Sequence, residues 1–427
     1  MYRKSSSAVV SELDTLLPGD YLLVSTGRKH YQLAGLARAV VLCLNGDALS
    51  LDEIQERVVA QGLDCSPDRL AQTLVRLVEF SILSSAETSP PGPRRRWSEG
   101  LLHRYLTLKV NLLPADRVAP VTRLLSILFD ERSMRYALPS LLALQIAFCW
   151  AYFGKLVPIV PKLSAAAFAW LAAGNYAALL MHELGHASAC VANGIRHGPI
   201  GFCIYLIYPA FYADVSECWR LPRSGRAIVD AGGMYMSLLC GSLCSAIFLA
   251  THEPVWGLVA ILCDITVFWN LNPFIRMDGY WLLSDWLGVQ NLMSVNREMT
   301  WWTVRRVIGR RQLAPLILSS DYPLRALYVT YYLGFLIFFG YACSQIAIYY
   351  VPDLVRAYPE LSSNLAASLR AFREVRALGK ALFYWLLGTL PLVGILLLVV
   401  RCTLALVRAI RGSAVNKEAG TWPIPTH

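Results

Sequence analysis

Six stretches of this sequence, each close to the ~20 apolar residues needed to cross a bilayer, constrain its fold more than any other feature. They run over residues 136–153, 164–192, 231–250, 255–269, 326–350 and 381–400. One soluble core cannot hide that much apolar surface. Hydrophobic residues make up 56% of the 427-residue chain and charged residues 16%, against about 25% charged in soluble domains. The expected fold is therefore mainly α: a polytopic helical membrane protein with about six transmembrane helices. Secreted, disordered and fibrous chains are excluded. The net charge of +10 reads as an Arg/Lys excess facing anionic headgroups, with no nucleic-acid partner.

The distribution of that charge orients the spans. Arg132 and Arg135 precede the first, and Arg196, Arg220, Arg223 and Arg226 follow the second. Arg297, Arg305, Arg306, Arg310 and Arg311 precede the fifth, and Arg401, Arg408 and Arg411 follow the last. All fall on one side when both termini are cytoplasmic. The start, Met-Tyr-Arg-Lys-Ser-Ser-Ser, has no apolar run after its charges and is not a signal peptide. One segment dissents: residues 356–380 carry Arg356, Arg370, Arg373, Arg376 and Lys380 on the external side, as a surface amphipathic helix would. The 11 cysteines form no C-x-x-C pair, so neither a disulfide frame nor a zinc ribbon is indicated. Cys240 and Cys244 read as small apolar packing residues.

Four regions follow. Residues 1–85 form a small α+β domain, 86–135 a linker and juxtamembrane segment, 136–286 the membrane core, and 287–427 a cytoplasmic loop, two further spans and a basic tail. In the first, Tyr21–Ser25 and His30–Leu33 have strand composition about a tip at Gly27-Arg28-Lys29. Leu36 to Leu44 reads as a helix stopped by Asn45-Gly46. Ser50 with Glu53, then Ser66-Pro67-Asp68, open two more helices. The breaker-rich run Ser89-Pro90-Pro91-Gly92-Pro93 leads into Arg94-Arg95-Arg96-Trp97, suited to a membrane surface or a solvated linker.

The chemistry centres on His182-Glu183-Leu184-Gly185-His186 within the second stretch. Histidines at i and i+4 share one helix face, so both imidazoles reach one Zn²⁺ with the glutamate beside them. Three ionisable groups in an apolar span require a polar interior or an ion. Two histidines leave a tetrahedral zinc short of protein ligands. The candidate third is Asp278, in Asn270-Leu271-Asn272-Pro273-Phe274-Ile275-Arg276-Met277-Asp278-Gly279, where Pro273 breaks the helix and Asp278-Gly279 offers a carboxylate at a turn. The charge-derived orientation puts His186 and Asp278 at similar depth.

These two elements together resemble the site-2 protease family of intramembrane zinc metalloproteases, which pairs H-E-x-x-H with N-x-x-P-x-x-x-x-D-G. The resemblance covers residues 136–286. It implies that His182, His186 and Asp278 ligate zinc, that Glu183 is general base and acid, and that Asn270, with Pro273, holds the substrate backbone. Asp230-Ala231-Gly232-Gly233 resembles the small-residue start of the family's next core helix, and Phe202 to Phe211 its membrane-dipping hairpin. His197, Asp214 and Asp230 read as loop or capping residues. Asp264 lies inside the fourth span, and Trp301-Trp302, Tyr331-Tyr332 and Tyr349-Tyr350 read as interface anchors or packing. Neither a P-loop nor G-x-G-x-x-G is present.

The N-terminal domain is similar to winged-helix leader-peptide-recognition domains of ribosomal-peptide pathways, of the pyrroloquinoline-quinone-biosynthesis D type, which take a peptide as an added strand. The joint implication is a zinc endopeptidase of the bacterial plasma membrane acting in maturation, release or immunity. Its partners are the bilayer, a peptide or membrane-protein substrate, and modification enzymes or an exporter of the same pathway. Two alternatives stand: regulated cleavage of a signalling protein such as an anti-sigma factor, and a non-proteolytic zinc-containing peptide-binding or export component.

Overall fold

The computed structural model describes residues 1–15, 20–26, 29–44, 48–63, 65–85, 107–205, 208–289, 291–309, 314–371, 382, 385, 389 and 421–423. The chain divides into two compact units, Met1–Val295 with Ala419–His427, and Asn296–Glu418.

In the first unit, β1 (Tyr2–Lys4) pairs with β5 (Leu83–Ser85). The strands β2 (Ala8–Glu12), β3 (Leu22–Thr26) and β4 (Lys29–Leu33) form an antiparallel meander. A last strand, β9 (Thr421–Pro423), extends the meander in the order β2-β3-β4-β9. Three helices follow β4: α1 (Gly35–Cys43), α2 (Leu51–Ala60) and α3 (Pro67–Glu79). Ser50 and Glu53 make a reciprocal capping box at the start of α2, and Ser66 caps α3 with Pro67 in the first turn. The helices bury Val40, Ile54, Leu70, Leu74 and Leu77 against Val24, Tyr31 and Leu33 of the sheet. Two strands were expected in residues 1–85; β1, β2 and β5 are additional there, and β9 joins the meander from the tail. The expected hairpin tip at Gly27-Arg28 and the stop at Asn45-Gly46 lie outside the described residues.

Residues 107–125, read as part of a linker, are ordered instead. They form β6 (Thr107–Leu113) and α4 (Ala115–Leu125). The rest of the linker, with its Pro and Arg runs, lies outside the described residues. Helix α5 (Glu131–Leu156) leads through a 3₁₀ turn into α6 (Ala165–Ala192). The strands β7 (Ile200–Tyr205) and β8 (Tyr208–Ala213) make a hairpin that pairs with β6 in the order β6-β7-β8. Helices α7 (Arg223–Thr251), α8 (Pro254–Asn270) and α9 (Asp278–Trp286) complete the unit's core.

Among the described residues, three helical stretches are long and apolar enough to cross a membrane: Met134–Lys162, Arg223–Thr251 and Tyr322–Leu369. They contain the first, third and fifth apolar stretches of the sequence. The fourth forms α8, an apolar helix of 17 residues. The second forms α6, whose polar residues reduce its hydropathy. The sixth lies almost wholly outside the described residues.

In the second unit, α10 (Leu292–Val307, whose first turn belongs to the first unit) precedes α11 (Tyr322–Gln345) and α12 (Val351–Ala371). Asn296 accepts from the Tyr328 hydroxyl at 3.1 Å and donates to Tyr331 at 3.2 Å, which assigns those tyrosines to packing. A π-turn at Ile346–Tyr350 joins α11 to α12. The break expected after residue 350 is therefore absent: the helix runs on through Pro352, whose missing N–H removes one rung of the ladder next to the π-turn. Arg373, Arg376 and Lys380 lie outside the described residues.

The N-terminal sheet docks on the helices of the same unit. Leu13 and Leu23 join a cluster with Trp219, Ile200, Leu184 and Val229. Asp14 accepts from the Arg223 guanidinium at 2.9 Å and from its amide at 3.0 Å. Burial raises the Asp14 pKa, yet these Arg223 contacts outweigh it and hold the carboxyl below its usual value.

Candidate metal centre

Helix α6 is bounded by local chemistry. The Ser164 hydroxyl accepts from the Ala167 amide at 3.1 Å. At the far end Gly194 takes φ +74°, and the Ile195 and Gly194 amides return to the Cys190 and Val191 carbonyls, a Schellman stop. The C-terminal half is buried, so His182 and His186 sit one turn apart, 5% and 8% exposed. The His186 Nδ1 lies 2.8 Å from the Val229 carbonyl oxygen. A carbonyl only accepts, so Nδ1 carries the proton and Nε2 presents its lone pair. The His182 Nδ1 meets the Ser237 hydroxyl at 2.9 Å. Both partners come from α7, and the two Nε2 atoms lie 3.2 Å apart.

Space for that pair is made by glycine. A Cβ at Gly233 would strike the Nε2 atoms of both rings, and one at Gly185 would strike the Gly232 carbonyl. The Gly232-Gly233 pair thus permits α6 and α7 to approach closely while leaving room for the imidazoles.

The third group arrives from α9. After α8 ends at Asn270, the chain turns through Pro273 and re-enters helix at Asp278. Asp278 is therefore the first residue of a helix, where a negative charge is favoured. Gly279 is pressed on the Asn270 and Leu271 carbonyls, and a Cβ there would lie 2.5–2.6 Å from their oxygens. Asp278 Oδ2 lies 3.0 Å from His182 Nε2, and Oδ1 3.4 Å from His186 Nε2. Despite that proximity, Oδ2 is buried and receives no hydrogen bond of acceptable geometry. Zinc bonds of ~2.0–2.1 Å at tetrahedral angles separate donor atoms by ~3.3 Å. The observed 3.0, 3.2 and 3.4 Å bracket that value. Among the described residues these three form the group of potential metal ligands. Two imidazole nitrogens and a carboxylate, converging without a bridging donor, fit a divalent cation of zinc type.

Glu183, half-buried, follows His182 on α6. The backbone N–H of Ala213, the last residue of β8, faces its carboxylate. An edge strand of the three-stranded sheet thus runs to the glutamate beside the three converging donors.

One curated protein shares recognisable sequence. Over 114 residues the chain is 29% identical to a Bacillus subtilis (strain 168) protein named "Putative peptide zinc metalloprotease protein YydH". The match takes in 26% of this chain and 45% of YydH, so it spans less than half of that relative. No family model matches the chain, and no solved structure matches it.

The remaining candidates lie elsewhere. Asn270 is buried, and its amide donates to the Thr266 carbonyl of its own helix at 3.0 Å. Pro273 lies in the connection before Asp278. His197 has both ring nitrogens engaged, with Thr122 Oγ at 3.0 Å and the Gly198 carbonyl at 2.7 Å, as a structural residue would. The Cys149 thiol donates to Asp264 at 3.1 Å, across α5 and α8. Three contributors carried no motif: Ser237, the Val229 carbonyl and the Ala213 amide. Only the glycine pair could have pointed to α7, because small residues mark close helix approach.

Proposed function

We propose that this chain is a zinc metallopeptidase of site-2 protease type, hydrolysing a peptide bond in a membrane-associated or ribosomally made peptide. The observation that carries the proposal is the convergence of His182, His186 and Asp278 within 4.8 Å, with Glu183 beside them on the same helix. The similarity to YydH supports a metallopeptidase, and the three long apolar helices support action at a membrane.

His182 and His186 hold the ion through Nε2, and Asp278 through a carboxylate oxygen. When bound, zinc supplies Lewis acidity and lowers the pKa of a water from 15.7 to about 7. Glu183 takes a proton from the attacking water and delivers it to the departing amine nitrogen. Ser237 and the Val229 carbonyl orient the two imidazoles. The outer edge of β8 offers main-chain donors and acceptors to a substrate held as an extended strand. The N-terminal domain selects the peptide. The protein resides in the bacterial plasma membrane with both termini cytoplasmic.

The test is Glu183→Gln in purified full-length protein, with zinc measured by mass spectrometry and cleavage followed on a quenched-fluorescent peptide library. The variant keeps about one zinc per chain and loses at least ~100-fold in rate, the low end for general acid–base catalysis. Unchanged cleavage, or wild-type protein without zinc, would overturn the proposal.

A further inference from the structure

One short segment of the N-terminal sheet reaches the helices that build the metal centre. After β2 ends at Glu12, Leu13-Asp14-Thr15 leaves the sheet and meets the beginning of α7 and the end of α9. Leu13 is buried in the cluster that holds Trp219 and Val229.

The next two residues each take hold of a helix end. α7 begins at Arg223 after Pro222, which supplies no side-chain cap. The first N–H groups of a helix have no partner within it. Here the Asp14 carboxylate, from a distant segment, accepts from the Arg223 amide at 3.0 Å. A negative charge is favoured at such an end. The same carboxylate accepts from the Arg223 guanidinium at 2.9 Å, and the Asp14 carbonyl accepts from Arg226 at 3.3 Å. The Thr15 hydroxyl donates to the Gly288 carbonyl. Gly288, at φ +63°, is where the chain turns out of α9.

Those helix ends belong to the elements that place the three donors. The Val229 carbonyl, which orients His186, lies in α7 less than two turns from Arg223. Gly288 follows Asp278 by about 15 Å of helical rise. Arg226 joins the two helices again through Asp285 at 2.7 Å. A helix this short moves as a rigid rod, so a shift at its Gly288 end is carried to Asp278. Metal–ligand distances tolerate only about 0.2 Å.

We infer that Asp14 and Thr15 are positioning residues of the metal centre: by gripping the start of α7 and the end of α9, they set where Asp278 stands relative to the imidazoles that α7 orients. This rests on the metallopeptidase reading and gives the N-terminal sheet a second role beside peptide selection. The Asp14–Arg223 pair is part-exposed, with side chains 43% and 29% accessible, so it adds little to stability by itself. Its effect is on geometry and is felt at the donors.

The experiment measures zinc affinity by chelator competition on detergent-purified full-length protein, with melting temperature recorded alongside. The variants are Asp14→Ala, Thr15→Val, the two combined, and Asp14→Glu, which keeps a carboxylate. Glu56→Ala, at an exposed position of α2, is the control. Each of Asp14→Ala and Thr15→Val is expected to weaken zinc binding by roughly two- to thirtyfold, the span over which residues that touch no ligand act on a distant site. The double variant weakens it further, Asp14→Glu recovers most of the loss, and Glu56→Ala leaves it unchanged. A lower melting temperature with wild-type zinc affinity makes the segment a docking contact only; that result overturns the inference and leaves the metal site standing. Wild-type protein that holds no zinc overturns the metal-site proposal, and the inference with it. Should the double variant fail to purify as a single species, the two single variants decide by the same criterion.

Discussion

Gly233 decides more about the metal centre than its size suggests. A methyl group on its Cα would lie only 2.5 Å from the His182 Nε2 and closer still to the His186 Nε2, far inside contact distance. The neighbours are buried rings fixed by Ser237 and the Val229 carbonyl, so neither can swing aside cheaply. Gly233→Ala should therefore abolish stoichiometric zinc, as read by mass spectrometry, while the chain still inserts and purifies. Ser237→Ala is milder: it removes only the group that orients His182. Loss of such an orienting partner typically costs 10–100-fold in metal affinity, and a chelator competition should return a value in that range. Unchanged affinity in both variants would mean that the converging nitrogens are not metal ligands.

The elements that carry these residues are held by a buried ion pair. Arg226, near the start of α7 and fully buried, donates to Asp285 on α9 at 2.7 Å. It also donates to the Leu221 carbonyl at 3.0 Å and, more weakly, to the Asp14 carbonyl at 3.3 Å. Asp285 is seven residues after Asp278, two turns along α9, so the pair anchors the helix that presents the third donor. Arg226→Met leaves a buried carboxylate uncompensated, a loss of about 3–5 kcal/mol for such pairs, read as a lower melting temperature in detergent. In the N-terminal sheet, burial lowers the His30 pKa, with Glu217 and Asp214 raising it and Arg220 lowering it. The folded domain prefers the neutral ring, so its stability is full above the unfolded value near 6.5 and is lost as pH falls through the lower folded value. Melting curves between pH 7.5 and 5 should fall more steeply for the wild type than for His30→Gln; parallel curves would exclude His30 as the cause. These elements were unequally legible in the sequence. The capping box at Ser50 and Glu53, Ser66-Pro67 and the long apolar helices could be read because their signals are local. β1, β2, β5, β6 and β9 could not: each is seven residues or fewer, and each finds its partner in another segment. That His182, His186 and Asp278 converge was foreshadowed by the H-E-x-x-H spacing and by the Asp-Gly turn matched to the site-2 protease pattern, whereas Arg226–Asp285 was not, because an ion pair between distant residues leaves no periodic trace.

At the scale of the whole molecule, the division into two units bears on the chemistry. The three converging donors, the groups that orient them, Glu183, the β6-β7-β8 sheet and the Arg226–Asp285 pair all belong to Met1–Val295. The second unit holds its own contacts, with Tyr328, Tyr331 and Tyr332 gathered around Asn296 and Thr300. The proposed metal binding would therefore be a property of the first unit, and a chain ending at Val295 should carry it. Expressed in membranes and purified in detergent, that fragment should hold about one zinc per chain, with an affinity in chelator competition within about threefold of the full chain. That margin corresponds to ~0.65 kcal/mol, since 1.4 kcal/mol is tenfold. Loss of zinc from a fragment that still purifies as a single species would show that the second unit supports the centre.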